Sequence, residues 1–221
     1  MTKLFIVLLS ITVSICTVKS QELTVKAEAD IVSSYIWRGL YVGPASIQPS
    51  ISLSSGDFTF GIWGSSSFNS TWREFDLYAS YSIGNFNFLL TDYFLPHDLP
   101  NGEKVSYFDF SEHVVEATLG YSLGGSVPLT FVWNTNIAGD ENYSSYFEAS
   151  YTIPTSFVDI DLIIGATPNA GFYSDGFAIV ATSIKASKEI DISDTFSLPV
   201  FTQAILNPDS KEVFLLFGMK F

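Results

Sequence analysis

Residues able to carry charge or hydrogen bonds recur at every second position along several segments, and this spacing narrows the chemistry. Lys26, Glu28 and Asp30 alternate with apolar neighbours, as do Glu74 and Asp76, Glu116, Glu148, Asp159 and Asp161, and finally Lys220. Arg38, Gln48 and Trp63 fall on the same parity of their segments. If that parity faces an enclosed space, eight acids against three cations leave five net negative charges inside. An enclosed acidic lining concentrates cations and repels anions. Arg38, Gln48, Trp63 and Glu74 come at comparable heights on four consecutive segments. An arginine held by a carboxylate beside an indole would form a constriction or a ligand contact. The same arginine could instead pair with neighbouring carboxylates and fill the space.

Nucleophilic chemistry finds less support. Ser111 and His113 share one face of a segment, the minimum for a serine–histidine pair, but no third group is evident to orient the imidazole. His97 lies in the longest connection. No Walker or dinucleotide fingerprint occurs, and the acids Asp98, Glu103, Asp109, Asp140, Glu141, Asp175, Asp209 and Glu212 lack metal-ligand spacing. No enzyme activity, cofactor or metal is expected.

The elements that position these residues are strands. Leu23, Val25, Ala27, Ala29 and Ile31 alternate with Thr24, Lys26, Glu28 and Asp30, and the same period recurs around Phe75–Tyr81, Val115–Tyr121, Leu129–Trp133 and Val158–Ile164. Twelve strands are predicted at about 22–38, 46–54, 57–66, 72–83, 86–95, 112–123, 127–137, 145–153, 157–167, 177–187, 196–206 and 212–221. Tight turns at 55–56, 84–85, 124–126 and 154–156 alternate with longer loops at 39–45, 67–71, 96–111, 138–144, 168–176 and 207–211; the turn near 188–195 is longer than its class predicts. Short turns on one rim and long loops on the other are the pattern of a transmembrane antiparallel barrel with both termini periplasmic. Tyr81, Tyr121 and Tyr151 each sit on the apolar face just before a short turn, as membrane-interface aromatics do. The last segment places Val213, Leu215, Phe217, Met219 and Phe221 on one face. An apolar dyad ending on Phe221 resembles the signal read by the machinery that inserts outer-membrane barrels.

Composition agrees. Of 221 residues, 47% are hydrophobic and 16% aromatic but only 15% charged, and the net charge is -13. Such an acidic chain does not suit nucleic acid, whose phosphates need basic patches. Met1 to Ser20 reads as a secretory signal, with Lys3 before the apolar stretch Leu4–Ile15 and cleavage after Ser20. The only cysteine, Cys16, falls within it, leaving the exported chain, 21–221, with none. Pro49 and Pro199 fit poorly inside strands, and 86–95 and 177–187 have ambiguous parity, the first because Asp92 falls in register with Phe86, Phe88 and Leu90.

Ser34-Tyr35-Ile36-Trp37-Arg38-Gly39, then Pro44 and Ile47-Gln48-Pro49, then Gly61-Ile62-Trp63-Gly64-Ser65-Ser66 resemble the pattern of the TorF-type porins, a family of exported proteins of poorly defined function. The motifs cover about residues 33–67. The resemblance implies an outer-membrane barrel of a kind that could form a pore, and supplies no substrate. The reading is therefore a porin-like channel for small cationic or neutral solutes, contacting outer-membrane lipid and lipopolysaccharide. A non-conducting adhesive or binding barrel is the alternative, and an envelope hydrolase at His113 the remote one.

Overall fold

The computed structural model describes residues 22–98, 102–124 and 127–221. The proposed signal segment and part of the turn at 124–126 lie outside them. Twelve strands form, β1 (Leu23–Trp37), β2 (Leu40–Ser55), β3 (Phe58–Ser67), β4 (Arg73–Ile83), β5 (Phe86–Phe94), β6 (His113–Ser122), β7 (Leu129–Ala138), β8 (Ser145–Pro154), β9 (Asp159–Thr167), β10 (Ala178–Ser193), β11 (Phe196–Asn207) and β12 (Glu212–Lys220). Each pairs antiparallel with its sequence neighbours, and β12 closes on β1. Among the described residues the one helical element is a 3-10 turn at Phe110–Glu112.

Polarity is inverted relative to a soluble domain. The outer face carries Leu23, Val25, Ile51, Leu53, Phe58, Phe60, Phe86, Phe88, Leu90, Ile164 and Ile184, all exposed, whereas the buried residues include Gln48, Ser65, Asp76, Thr91, Glu116, Asn134 and Asn136. Period-two alternation places one set outside and the other inside. Room inside is taken up by rings lying over glycines. Tyr78 covers Gly61 and Phe201 covers Gly218, both direct cross-strand pairs, and Tyr146 covers Gly165; any Cβ at these glycines would collide with the ring.

Two connections differ from the sequence expectation. Residues 40–45 belong to β2 instead of a loop, so β1 and β2 meet in a two-residue turn, Arg38-Gly39. Both residues have positive φ, 51° and 82°, the type I′ pattern whose twist matches a hairpin. Likewise β10 and β11 run on to Ser193 and from Phe196, so the stretch near 188–195 is mostly strand around a tight turn. The prolines are accommodated where ladder pairing is missing. The β2–β3 pairing skips from Ile47↔Ser66 to Ser50↔Trp63, leaving Pro49 opposite a gap, and Pro199 lies just below the last β11–β12 pair, Val200↔Met219.

The β1–β2 hairpin outgrows the wall. Pairing of β1 with β12 covers only Asp30–Val32 against Gly218–Lys220, while pairing with β2 continues to Trp37↔Leu40. The register shifts between Tyr35 and Ile36, and the rings of Tyr35 and Trp37 turn inward. The tip leans past β12 onto β11 and β10, where Asn207 donates its amide to the Gly39 carbonyl (3.1 Å) and Gly39 abuts the Val180 carbonyl so closely that no Cβ fits.

Candidate functional site: a hairpin seated in the lumen

Arg38, at the tip, is carried across the barrel by this geometry. Its guanidinium grips Glu116 of β6 in a fork, Nη1 to Oε2 at 2.5 Å and Nη2 to Oε1 at 2.8 Å, the planar bidentate match that favours arginine over lysine. Nη1 also donates to the Tyr173 hydroxyl (2.5 Å), and Tyr93 donates to Glu116 Oε1 (3.1 Å). The guanidinium carbon lies 4.3 Å from the Trp37 ring centroid and 5.0 Å from that of Tyr146. Side-chain exposure is 13% for Arg38 and 2% for Glu116. A charge pair so thoroughly desolvated persists only when nearly all its hydrogen-bonding capacity is used. Phe172 and Tyr173, from the β9–β10 connection, pack on Trp37 and cap the arrangement. Burial pushes the Tyr173 hydroxyl up to about 12, against the downward pull of the Arg38 charge.

The other lumen candidates are spread around the inner wall. Gln48 donates to Ser65 (3.5 Å) and is paired with Asp30 across β1–β2. Trp63 packs on Tyr35 with ring centroids 5.7 Å apart. Asp76 lies between Trp63 and Tyr93 in the register of β3, β4 and β5. Glu74 accepts from the Trp72 indole (3.4 Å), Glu148 from the Tyr146 hydroxyl (2.8 Å), and Asp161 from Thr152 (2.7 Å). Asp159, on the same face of β9, is solvent-exposed near the turn. Arg38 is thus held by Glu116 and flanked by Trp37, and not by the nearer-in-sequence Glu74 and Trp63. At the opposite rim Glu28 accepts from Lys26 (2.7 Å) and Lys220 (2.9 Å) in an open cluster. Tyr81, Tyr151 and Phe221 are exposed on the outer face near that rim, and Tyr121 packs on Phe86.

The Ser111–His113 pair acquires a third group that sequence parity left ambiguous. Asp92 and His113 both point outward from the wall, and His113 Nδ1 bonds Asp92 Oδ1 at 2.8 Å. The second ring nitrogen, Nε2, lies 2.8 Å from the Tyr107 carbonyl. Ser111 donates instead to Asp109 (2.6 Å). His113 in this geometry therefore fastens the β5–β6 connection to the outer wall: Tyr107 packs on Phe75 and Phe94 as well as on the imidazole. In the β7–β8 connection burial works against the Asp140 charge, but bonds from Ser144, Asn136 and Asn142 outweigh it and lower its pKa to about 2. Among the described residues, no group of three or more His, Cys, Asp or Glu is placed to hold a metal ion.

A closed twelve-stranded barrel, apolar outside and polar inside, with its first hairpin folded into the lumen, defines the class. Within it, the chain belongs to the Gcw_chp family, described as bacterial proteins of unknown function, whose model matches residues 18–198. No curated protein matches the chain.

Proposed function

We propose that the protein is an integral outer-membrane barrel whose lumen is closed, in the arrangement described, by its own β1–β2 hairpin. The observation that carries this reading is the inverted polarity: an outer wall of exposed Leu, Ile, Val and Phe around buried Gln, Asp, Glu and Asn. Water would not tolerate so much contiguous apolar surface on a monomer, whereas lipid needs it, and a closed barrel pairs the backbone groups that lipid cannot. Termini at the short-turn rim would face the periplasm. The apolar dyad of β12, Val213, Leu215, Phe217 and Met219, suits recognition by the barrel-assembly machinery, and the loop rim is the part offered to lipopolysaccharide and to binding partners.

The hairpin favours a barrel that is shut at rest over a permanently open porin. A second reading is favoured by the lining: Asp30, Glu74, Asp76 and Glu148 line the lumen, while Arg38 is committed to Glu116. Such a lumen, once open, would pass small cationic or neutral solutes. Refolding the chain from Gln21 and floating it with liposomes tests the first reading. Co-flotation, with boiled and unboiled protein migrating differently on a gel, is expected; soluble protein that stays with the buffer would refute it.

A further inference from the structure

We propose that the lumen is one of two seats for the β1–β2 hairpin, and that residues 33–37 can return to the open edge of β12, converting the closed barrel into a conducting one. This rests on the membrane-barrel reading. The β1–β12 ladder begins with reciprocal bonds between Ala29 and Phe221 (3.1 and 2.9 Å) and ends at Val32↔Gly218. At the next position the Phe217 amide takes the Ser33 hydroxyl (2.9 Å) in place of a backbone carbonyl. Beyond it β12 pairs with β11 alone.

An antiparallel strand bonds its two neighbours with alternate residues, so Leu215 and Val213, in phase with Phe221, aim their peptide groups at a space β1 has vacated. The two residues are 76% and 72% exposed, with their side chains on the outer wall. In a bilayer such unpaired peptide groups are costly. Extending the existing register supplies their partners: Tyr35 falls opposite Leu215, Trp37 opposite Val213, and Arg38 opposite Glu212. Opposed charges across a strand pair are favourable, so Arg38 exchanges one carboxylate for another. Tyr35 and Trp37 then continue the outward parity of Leu23, Val25, Ala27, Ala29 and Ile31, and join the outer face near the loop rim, where interfacial aromatics belong. Each seat satisfies what the other leaves open. The lumen seat has the Glu116 fork and the ring stack, and the wall seat has the ladder and Glu212. Two discrete packings of one element are the structural basis of a switch.

The test is a Tyr35→Cys/Leu215→Cys chain with Cys16→Ser, folded in detergent and oxidised. Directly opposed residues have Cα atoms about 5.5 Å apart, within disulfide reach; with Tyr35 in the lumen and Leu215 outside, they are not opposed. Expected are a disulfide seen by gel mobility, its formation about tenfold faster when Arg38→Ala is added, and sustained conductance of the oxidised protein in planar bilayers that reductant abolishes. Trp37→Cys/Val213→Cys gives the same result should the first pair fail to fold. A folded barrel in which neither pair crosslinks, or a crosslinked one that does not conduct, overturns the proposal. Crosslinking in detergent does not depend on a membrane, and flotation of the same sample reads the membrane reading separately.

Discussion

Two clusters of opposite charges occupy the two ends of the lumen and do different work. At the loop rim Arg38 and Glu116 are nearly sealed from solvent, joined by a planar fork and wrapped by Trp37, Tyr93, Tyr146 and Tyr173. At the terminal rim Lys26 and Lys220 share Glu28, with the lysine side chains 63% and 42% exposed. Cation and carboxylate separations are similar, so distance does not distinguish them. Solvent does. Desolvation makes the first pair indispensable to itself, because either partner alone would be a buried charge; water and salt screen the second until it contributes little. A sequence rich in lumen acids therefore contains one structural lock and one solvated mouth.

The sharpest way to break this contrast is to remove Glu116. Glu116→Ala leaves a buried guanidinium unpaired and is expected to destabilise the folded barrel by about 3–5 kcal/mol, read as a shift of the urea midpoint in detergent. A smaller effect is expected on the outer wall, where His113→Ala deletes the link between Asp92 and the Tyr107 carbonyl. That variant should lose about 1–3 kcal/mol and expose the β5–β6 connection to limited proteolysis, leaving cleavage elsewhere unchanged.

Acid provides a finer probe. Asp140 has a folded pKa of about 2, below its usual 3.8, so its contribution is fully present above about pH 4 and is lost as pH falls through about 2. Protection of the Asn142 and Ser144 amides, whose N–H groups it accepts, measured relative to their intrinsic exchange rates, should be constant above about pH 4 and be lost as pH falls through about 2. The smallest effect belongs to the terminal rim: Lys26→Ala should change stability by less than about 1 kcal/mol, and added salt should erase the difference.

Much of the wall was legible because alternation is local. The twelve strands, the short-turn rim and the inward set from Lys26 to Asp161 follow from a period of two and from glycine-bearing turns. The plug was not legible, for two reasons. Type I′ turns are signalled by Asn-Gly or Asp-Gly, so Arg38-Gly39 reads as a strand running into a loop, and 40–45 as part of that loop. The inward swing of Tyr35 and Trp37 reverses the parity of β1 after Val32, and only contacts with distant strands impose it. Arg38 lies 78 residues from Glu116, a separation no spacing rule bridges. Asp92 shows the opposite case. Its parity with Phe88 and Leu90 was an anomaly for a lipid-facing position, and the anomaly marked a real feature: an outward carboxylate paired with His113 beneath Tyr107.

The central claim is that the hairpin, held by Arg38, closes the lumen. Single-channel recording of the refolded chain from Gln21 beside an Arg38→Ala/Glu116→Gln variant addresses it most directly. Wild-type protein verified as folded should remain predominantly closed, and the variant should show discrete, cation-selective openings far more often. Steady conductance in both, or silence in both, would contradict the account.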